Sequence, residues 1–294
     1  MANDSAGTGS NFAARFDIVP YARRYRRATM RLVTEAYLVH THLDWQSVDD
    51  WLDDPTMLML MAWRDNVLHG VIATSEVLGG ATWLRLVAVA DLAEPAGVLA
   101  ALWSALRSLL IVNSVREVGV LLIRNWLLDH LPALGFNYGE DIVTLRRYGT
   151  DILPPLHDDV RIRPAYWNDL PAVVAIDHAA FGPLWQMGSR SLRYASRMAA
   201  SFSLAELQGQ LVGYQLSTQH SDGGHLARLA VLPEVQGHGI GGSLLGAMLR
   251  HFVRRGIESV SVNTQEHNVQ SQRLYERYGF ERTMQDLPFW KIEL

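Results

Sequence analysis

The stretch Leu226-Ala-Arg-Leu-Ala-Val231, continuing through Leu232-Pro-Glu-Val into Gln236-Gly-His-Gly-Ile-Gly-Gly242, decides the fold of this 294-residue chain. A short apolar run reads as a strand, and four closely spaced glycines follow. Apolar residues then fall at Ile240, Leu244, Leu245, Met248, Leu249 and Phe252, the spacing of an amphipathic helix face. Glycines at a strand-to-helix passage let the backbone turn tightly and present successive N–H groups, to which the helix N-terminus adds positive partial charge. Such a loop suits a pyrophosphate, with Gln236 and His238 as possible side-chain donors. A turn that merely carries a strand into a helix would use the same glycines. No Gly-Lys-Ser/Thr occurs here, and Gly237, Gly239 and Gly241 alternate rather than follow the Gly-x-Gly-x-x-Gly spacing, so neither common nucleotide loop fits.

Around this centre, Val160–Arg163 reads as a first strand and Leu170–Phe181 as a helix. Ser201–Leu207 and Leu211–Ser217 form a hairpin across Gln208-Gly209-Gln210, Ser259–Asn263 is a further strand, and Val269–Tyr278 a helix closed by Gly279. Helices and strands in this order predict an α/β mixed sheet with helices on both faces.

The pattern occurs twice. Gly70 and Gly213, Val89 and Val231, and Gly135-Phe136 and Gly279-Phe280 are separated by 143, 142 and 144 residues, in the same order. Three landmarks at nearly one spacing predict a duplication: one domain over 1–150, a linker over 151–159 containing Pro154-Pro155, and a second domain over 160–294. Pro233 and Pro288 suit loops or strand ends.

The spacing Gln236-x-x-Gly239-x-Gly241, with Leu229-Ala-Val-Leu-Pro-Glu234 before it, resembles the Q/R-x-x-G-x-G/A motif of the GNAT superfamily of N-acyltransferases. The family's second element resembles Asn268-Val-Gln-Ser-Gln-Arg-Leu-Tyr275-Glu-Arg-Tyr-Gly279-Phe280. The likeness is concentrated in residues 226–280, and a looser likeness in element order runs over Val160–Leu294. It implies two tandem GNAT-like domains, each a mostly antiparallel central sheet flanked by helices. It also implies acetyl transfer from acetyl-CoA to a primary amine by direct attack in a ternary complex, with no metal.

By that resemblance, the backbone of Leu229, Ala230 and Val231 pairs with the pantetheine arm, and the Val231 N–H lies near the thioester carbonyl, where oxyanion charge develops. Gln236, Gly237, His238, Gly239, Ile240, Gly241 and Gly242 hold the pyrophosphate, while Asn268 and Ser271 contact the cofactor arm. Asn268 equally suits an N-cap for the following helix. Tyr275 falls where the family places the tyrosine that protonates the departing thiolate, although a tyrosine packed on a core fits the same helix. For a general base the candidates are His225, at a strand position where arylalkylamine N-acetyltransferases carry base histidines, and Glu206 on the hairpin, with ordered water a third route. Asn263 stands where the ribosomal-protein alanine acetyltransferases carry a glutamate base, a departure from that branch. Phe181, Trp185, Tyr214 and Trp290 are candidates for an apolar acceptor groove or for core.

In the first half, Glu94, Pro95 and Leu99 stand opposite Gln236, Gly237 and Gly241, and Leu131 opposite Tyr275. A carboxylate repels pyrophosphate, proline removes a donor and leucine blocks close approach, so this half reads as a degenerate copy. It would cover a sheet edge of the active half or help shape the acceptor site.

Composition bounds the rest. With 49% hydrophobic residues, the chain can build two cores. Absence of cysteine excludes disulfides, thiolate metal sites and an acyl-cysteine intermediate. A formal net charge of −4 gives no support for nucleic-acid wrapping. The arginines at 23, 24, 26, 27 and 31 precede the acid-rich Asp44–Asp54, so a solvated helix face accounts for them. Met1–Asn11 lacks the pattern of a signal peptide, and no apolar run of roughly 18 residues stands out as a membrane span. The expectation is a cytoplasmic enzyme acting on a small-molecule or peptide amine, free or as a homodimer. A mycothiol-synthase-like tandem acetyltransferase and a non-catalytic acyl-CoA sensor or scaffold are the alternatives.

Overall fold

The computed structural model describes residues 16–150 and 159–294. Met1–Asn11 and nearly all of the expected linker, Pro154-Pro155 included, lie outside those residues. In the first half β1 (Asp17–Pro20), α1 (Arg26–Glu35), β2 (Leu38–Thr41) and α2 (Val48–Trp51) precede the antiparallel β3 (Leu58–Arg64), β4 (Val67–Thr74) and β5 (Ala81–Val89). Then come α3 (Pro95–Val112), β6 (Glu117–Leu121) and the long β7 (Asn137–Tyr148). The second half repeats the plan with β8 (Val160–Pro164), α4 (Leu170–Ala180), α5 (Ser189–Met198), β9 (Ser201–Leu207), β10 (Gln210–His220) and β11 (Gly223–Val231). After it come α6 (Ile240–Arg254), β12 (Ser259–Gln265), α7 (Val269–Arg277), β13 (Glu281–Arg282) and β14 (Leu287–Glu293).

The repeat landmarks occupy equivalent places. Gly70 faces Val89 across β4 and β5, and Gly213 faces Val231 across β10 and β11. At each glycine a Cβ would strike a side chain of the covering helix, Val98 on α3 or Leu244 on α6, and the carbonyl of Ala88 or Ala230. Gly135 and Gly279 both end a helical turn at positive φ, 91° and 78°.

One sheet runs through both halves in the order β1-β3-β4-β5-β6-β14-β7-β12-β11-β10-β9-β8. The halves trade their last strands. β14 of the second half lies between β6 and β7 of the first, and residues 142–148 of β7 pair with β12 and, in part, with β13. Packing follows the trade: Ile292 is buried among Val118, Val120 and Leu131 of the first core, while Val143 and Leu145 are buried in the second core with Leu245, Leu249 and Phe252. Neither core is complete without the other half.

Two local expectations need correcting. α5 did not stand out in the sequence; its Leu192 and Ala195 are buried against α4 and β10. The apolar run overlooked above is α3, whose 18 residues have a mean hydropathy of 1.7, long and apolar enough to cross a membrane by length and composition. Here Val98, Leu99, Leu102, Trp103, Leu106 and Leu110 form one buried face over β3 and β4, so its hydrophobicity serves a core. The arginine cluster behaves as a solvated face, with Arg26 bonded to Asp49 at 2.9 Å and to Asp53 at 2.7 Å.

Candidate active site

The site begins where two parallel strands separate. β11 pairs with β12 only over Gly224–Leu226, after which the strands diverge. From Ala227 to Val231, β11 keeps its partner β10 on one side, and no strand among the described residues pairs with its other side. The Leu232 N–H donates to Val212 across β10 at 2.8 Å, so alternation directs the N–H groups of Leu229 and Val231 to the open side.

This edge leads into the glycine loop. Gly237 and Gly239 hold φ of 81° and 77°, conformations that strain any side-chain-bearing residue. Gly239 is the N-cap of α6 and has no side chain to satisfy the first helical N–H groups. The two side-chain donor candidates make contacts within the loop. Gln236 Nε2 donates to Val231 O at 3.0 Å, and His238 Nδ1 lies 3.0 Å from Gln236 O. Both side chains therefore brace the loop itself through these contacts, and the backbone N–H groups at the start of α6 have no side-chain cap. Tyr278, which sequence reasoning did not single out, donates to Gly242 O at 2.7 Å and ties α7 to the start of α6.

Beyond the loop lies a cavity of about 300 Å³, lined from the second half by Phe181, Trp185, His225, Asn268, Ser271 and Tyr275 among others. Tyr275 is buried on α7, and its ring lies 5.8 Å from that of Phe280. Burial pushes its phenol above the ordinary value of 10, with Ser271 acting in the opposite sense, so the group is protonated at neutral pH. The Asn268 side chain accepts from the Ser271 N–H at 3.1 Å, so it caps α7 while also lining the cavity.

The base candidates separate. His225 lines the cavity near the point of strand divergence, its Nδ1 2.9 Å from Ser261 Oγ. Burial, then the neighbouring His220 and Arg146, push its pKa down to about 4, so the ring is neutral at pH 7. Glu206 lies on β9 facing β8, bonded to Arg163 at 2.6 Å and 3.6 Å from Arg161, and does not line the cavity. Tied up by two arginines away from the cavity, it is not placed to take a proton from an acceptor.

Of the aromatic candidates, Phe181 and Trp185 line the cavity, but Tyr214 and Trp290 do not. Tyr214 is fully buried and donates to Asp177, and Trp290 packs against the first core beside Tyr138. Asp177 also accepts from Arg228 at 2.8 and 3.0 Å, and the Arg228 guanidinium lies 3.8 Å from the centre of the Phe181 ring. This buried network fixes the cavity wall. An acid inside the apolar run Val173-Val-Ala-Ile-Asp177 was the available signal, since such a group needs a partner.

The first half lines the cavity too, with His42, Asp44, Trp45, Trp83 and Arg85 and with Leu121 and Ile142. Among the described residues, the equivalent divergence of strands in that half is closed. β5 leaves β6 after Trp83, but β2 pairs with the freed edge from Leu86 to Val89. At the start of α3, Glu94 accepts from the N–H groups of Ala96 and Gly97 at 3.0 and 2.6 Å, and Leu131 is buried where Tyr275 has its counterpart. Among the described residues no group of three or more His, Asp or Glu is arranged to hold a metal ion.

Comparison with known proteins agrees with this architecture. Residues 170–280 match the acetyltransferase (GNAT) family model. The mycothiol acetyltransferase of Thermobispora bispora is 30% identical over 203 residues, covering 61% of this chain and 69% of that protein. That of Streptomyces avermitilis is 31% identical over 169 residues, 53% of this chain and 55% of the relative. Among solved structures, a tandem GNAT protein of the clavulanic acid biosynthesis pathway superposes with a TM-score of 0.61 at 14% identity, over 95% of this chain and 98% of that one. A probable N-acyltransferase from Enterococcus faecalis gives 0.69 at 10% identity, over 94% of this chain and 72% of that one. The chain belongs to the GNAT family of acetyltransferases, in its tandem-domain form.

Proposed function

We propose that the second half transfers an acetyl group from acetyl-CoA to a primary amine by direct attack, in the cytoplasm. The carrying observation is the open β11 edge, which joins the uncapped N-terminus of α6 at one end to the cavity holding Tyr275 at the other. Acetyl-CoA enters as a substrate whose pyrophosphate meets the N–H groups of the loop and whose arm extends the sheet along Leu229–Val231.

The amine nitrogen attacks the thioester carbonyl, and the N–H groups on the open edge stabilise the charge gathering on its oxygen. As the C–S bond breaks, the buried phenol of Tyr275 gives its proton to the sulfur. His225 accepts the proton lost by the amine in this reading, which its place in the cavity wall, its neutral ring and its contact with Ser261 support. Its depressed basicity makes it a modest base, and water shares this step.

Replacing Tyr275 with Phe keeps the ring and removes the acid. We expect kcat to fall about 10²–10⁴-fold with acetyl-CoA affinity little changed. Unchanged kcat would remove Tyr275 from the mechanism. A second reading, in which the amine belongs to a mycothiol-type thiol, is favoured by the repeated likeness to mycothiol acetyltransferases. Turnover of the free amine of such a thiol, against a panel of simple amines, tests it.

A further inference from the structure

The strand that closes the first half's cleft continues into the cavity of the second. β2 ends at Thr41, and the next residues, His42, Asp44 and Trp45, stand in the cavity wall. Asp44 is held firmly there. Its carboxylate lies 3.1 Å from His42 Nε2 and 3.0 Å from Arg85 Nη1, and Arg85 Nη1 is 3.0 Å from His42 Nδ1. A guanidinium only donates, so His42 Nδ1 accepts and Nε2–H points to Asp44. Both ring nitrogens are thus committed, and His42 orients the carboxylate. Although bound on one side, the Asp44 side chain keeps 40% of its surface open.

Next to it, Asp44, Trp45, Trp83 and Arg85 also line a side chamber of about 60 Å³ that extends to Glu76. Glu76 has neither a hydrogen bond to its carboxylate nor an ion pair among the described residues. Its carboxylate packs against the backbone of Gly188, where any Cβ would overlap it. The cationic groups nearby have other partners: Arg85 with Asp44, Arg228 with Asp177, Arg190 with Asp54 at 3.7 Å, and His178, whose Nε2 lies 3.1 Å from Met187 O. The chamber thus holds a half-buried carboxylate beside indole walls that no cation contacts directly. Arg190 and His178 act on it only from beyond ion-pair distance and Asp54 opposes them, so it gains from an incoming cation.

We infer that the first half is the acceptor-recognition module, and that the acceptor carries a second, positively charged nitrogen that docks between Asp44 and Glu76. This inference rests on the cavity being the acceptor site for acetyl transfer. The nitrogen to be acetylated must be neutral, so it is not the one held by these carboxylates. A chamber of this size takes an ammonium and little more.

Diaminobutane, butylamine and aminobutanol separate the possibilities, because they share a chain and differ in the distal group. Each is titrated calorimetrically into the full-length protein saturated with CoA, and each is then assayed as an acceptor with acetyl-CoA. We expect diaminobutane to bind at least tenfold more tightly than the other two. Asp44→Asn and Glu76→Gln should each reduce that ratio severalfold. Glu76→Gln is the safer variant, since the Glu76 carboxylate makes no hydrogen bond or ion pair among the described residues to lose on folding. Equal binding of all three amines, tighter binding of aminobutanol, or a ratio unmoved by Glu76→Gln would overturn the inference. Diamine binding with the expected ratio but no acetylated product would show a cation subsite in a cavity that is not an acceptor site, overturning the acceptor role through the failure of the transferase reading. Acetylation of all three amines with equal binding would overturn the inference alone.

Discussion

The start of α3 and the start of α6 occupy equivalent places in two copies of one fold, yet only the first is capped by a side chain. At α3, Glu94 supplies both oxygens to the first helical N–H groups, so the helix carries its own anion. At α6, Gly239 leaves the equivalent groups without a side-chain cap. The strand edges differ in the same way: β2 pairs along Leu86–Val89, whereas Ala227–Val231 is open. One fold can therefore present an open strand edge and helix end in one copy and close both in the other, through a carboxylate that caps the helix and a strand that takes the edge.

The comparison breaks most readily at the glycine loop. Gly239→Val places a β-branched residue at positive φ in the anion cradle, and acetyl-CoA affinity should fall at least a hundredfold by titration. Gly97→Ala in the first half should leave acetyl-CoA affinity unchanged. Equal losses would mean that both loops bind.

Strand exchange predicts that the two copies unfold as a unit. Ile292→Ala, in a second-half strand but a first-half core, should cost about 2–4 kcal/mol and lower one shared transition in denaturant. Two separated transitions, only one of them shifted, would show that the copies are independent.

Acid should weaken both copies together. His40 on β2 and His225 on β11 are each pushed down to about 4, chiefly by burial. The unfolded chain binds protons at these histidines below about pH 6.5 while the folded chain resists until about pH 4, so stability falls as pH is lowered through that window. Thermal midpoints measured from pH 7 to 4.5 should decline, and His40→Asn should flatten the slope. A slope unchanged by that substitution would remove His40 from the explanation.

The smallest effect is expected at Glu94. Glu94→Ala removes a helix cap and should cost about 1 kcal/mol in denaturant unfolding. It should not create a second acetyl-CoA site, because β2 still occupies the strand edge. A second site in this variant would show that the carboxylate alone closes the first half.

Much of this was legible in the sequence wherever local chemistry decides. The Gly70 and Gly213 landmarks proved to be equivalent cross-strand positions, and the glycine loop lies between strand and helix as its spacing required. Glu94 was expected to repel phosphate, but its geometry does more by taking the donors itself. What was not legible depends on distant pairing. Nothing local in Leu287–Glu293 marks it as a strand of the other half, and nothing in Leu38–Thr41 announces that it fills a cleft. Asp44 and Arg85 are 41 positions apart and meet only after β2 has docked on β5. Glu206 misled for the same reason, since its commitment to Arg163 is visible only once β8 and β9 pair.

The most direct test of the account is the stoichiometry of acetyl-CoA binding to the intact chain, measured by calorimetric titration. One site per chain, lost in Gly239→Val, is the predicted result. Two sites would contradict the closure of the first half by β2 and Glu94, and no binding at millimolar acetyl-CoA would contradict the open edge and loop as a cofactor site.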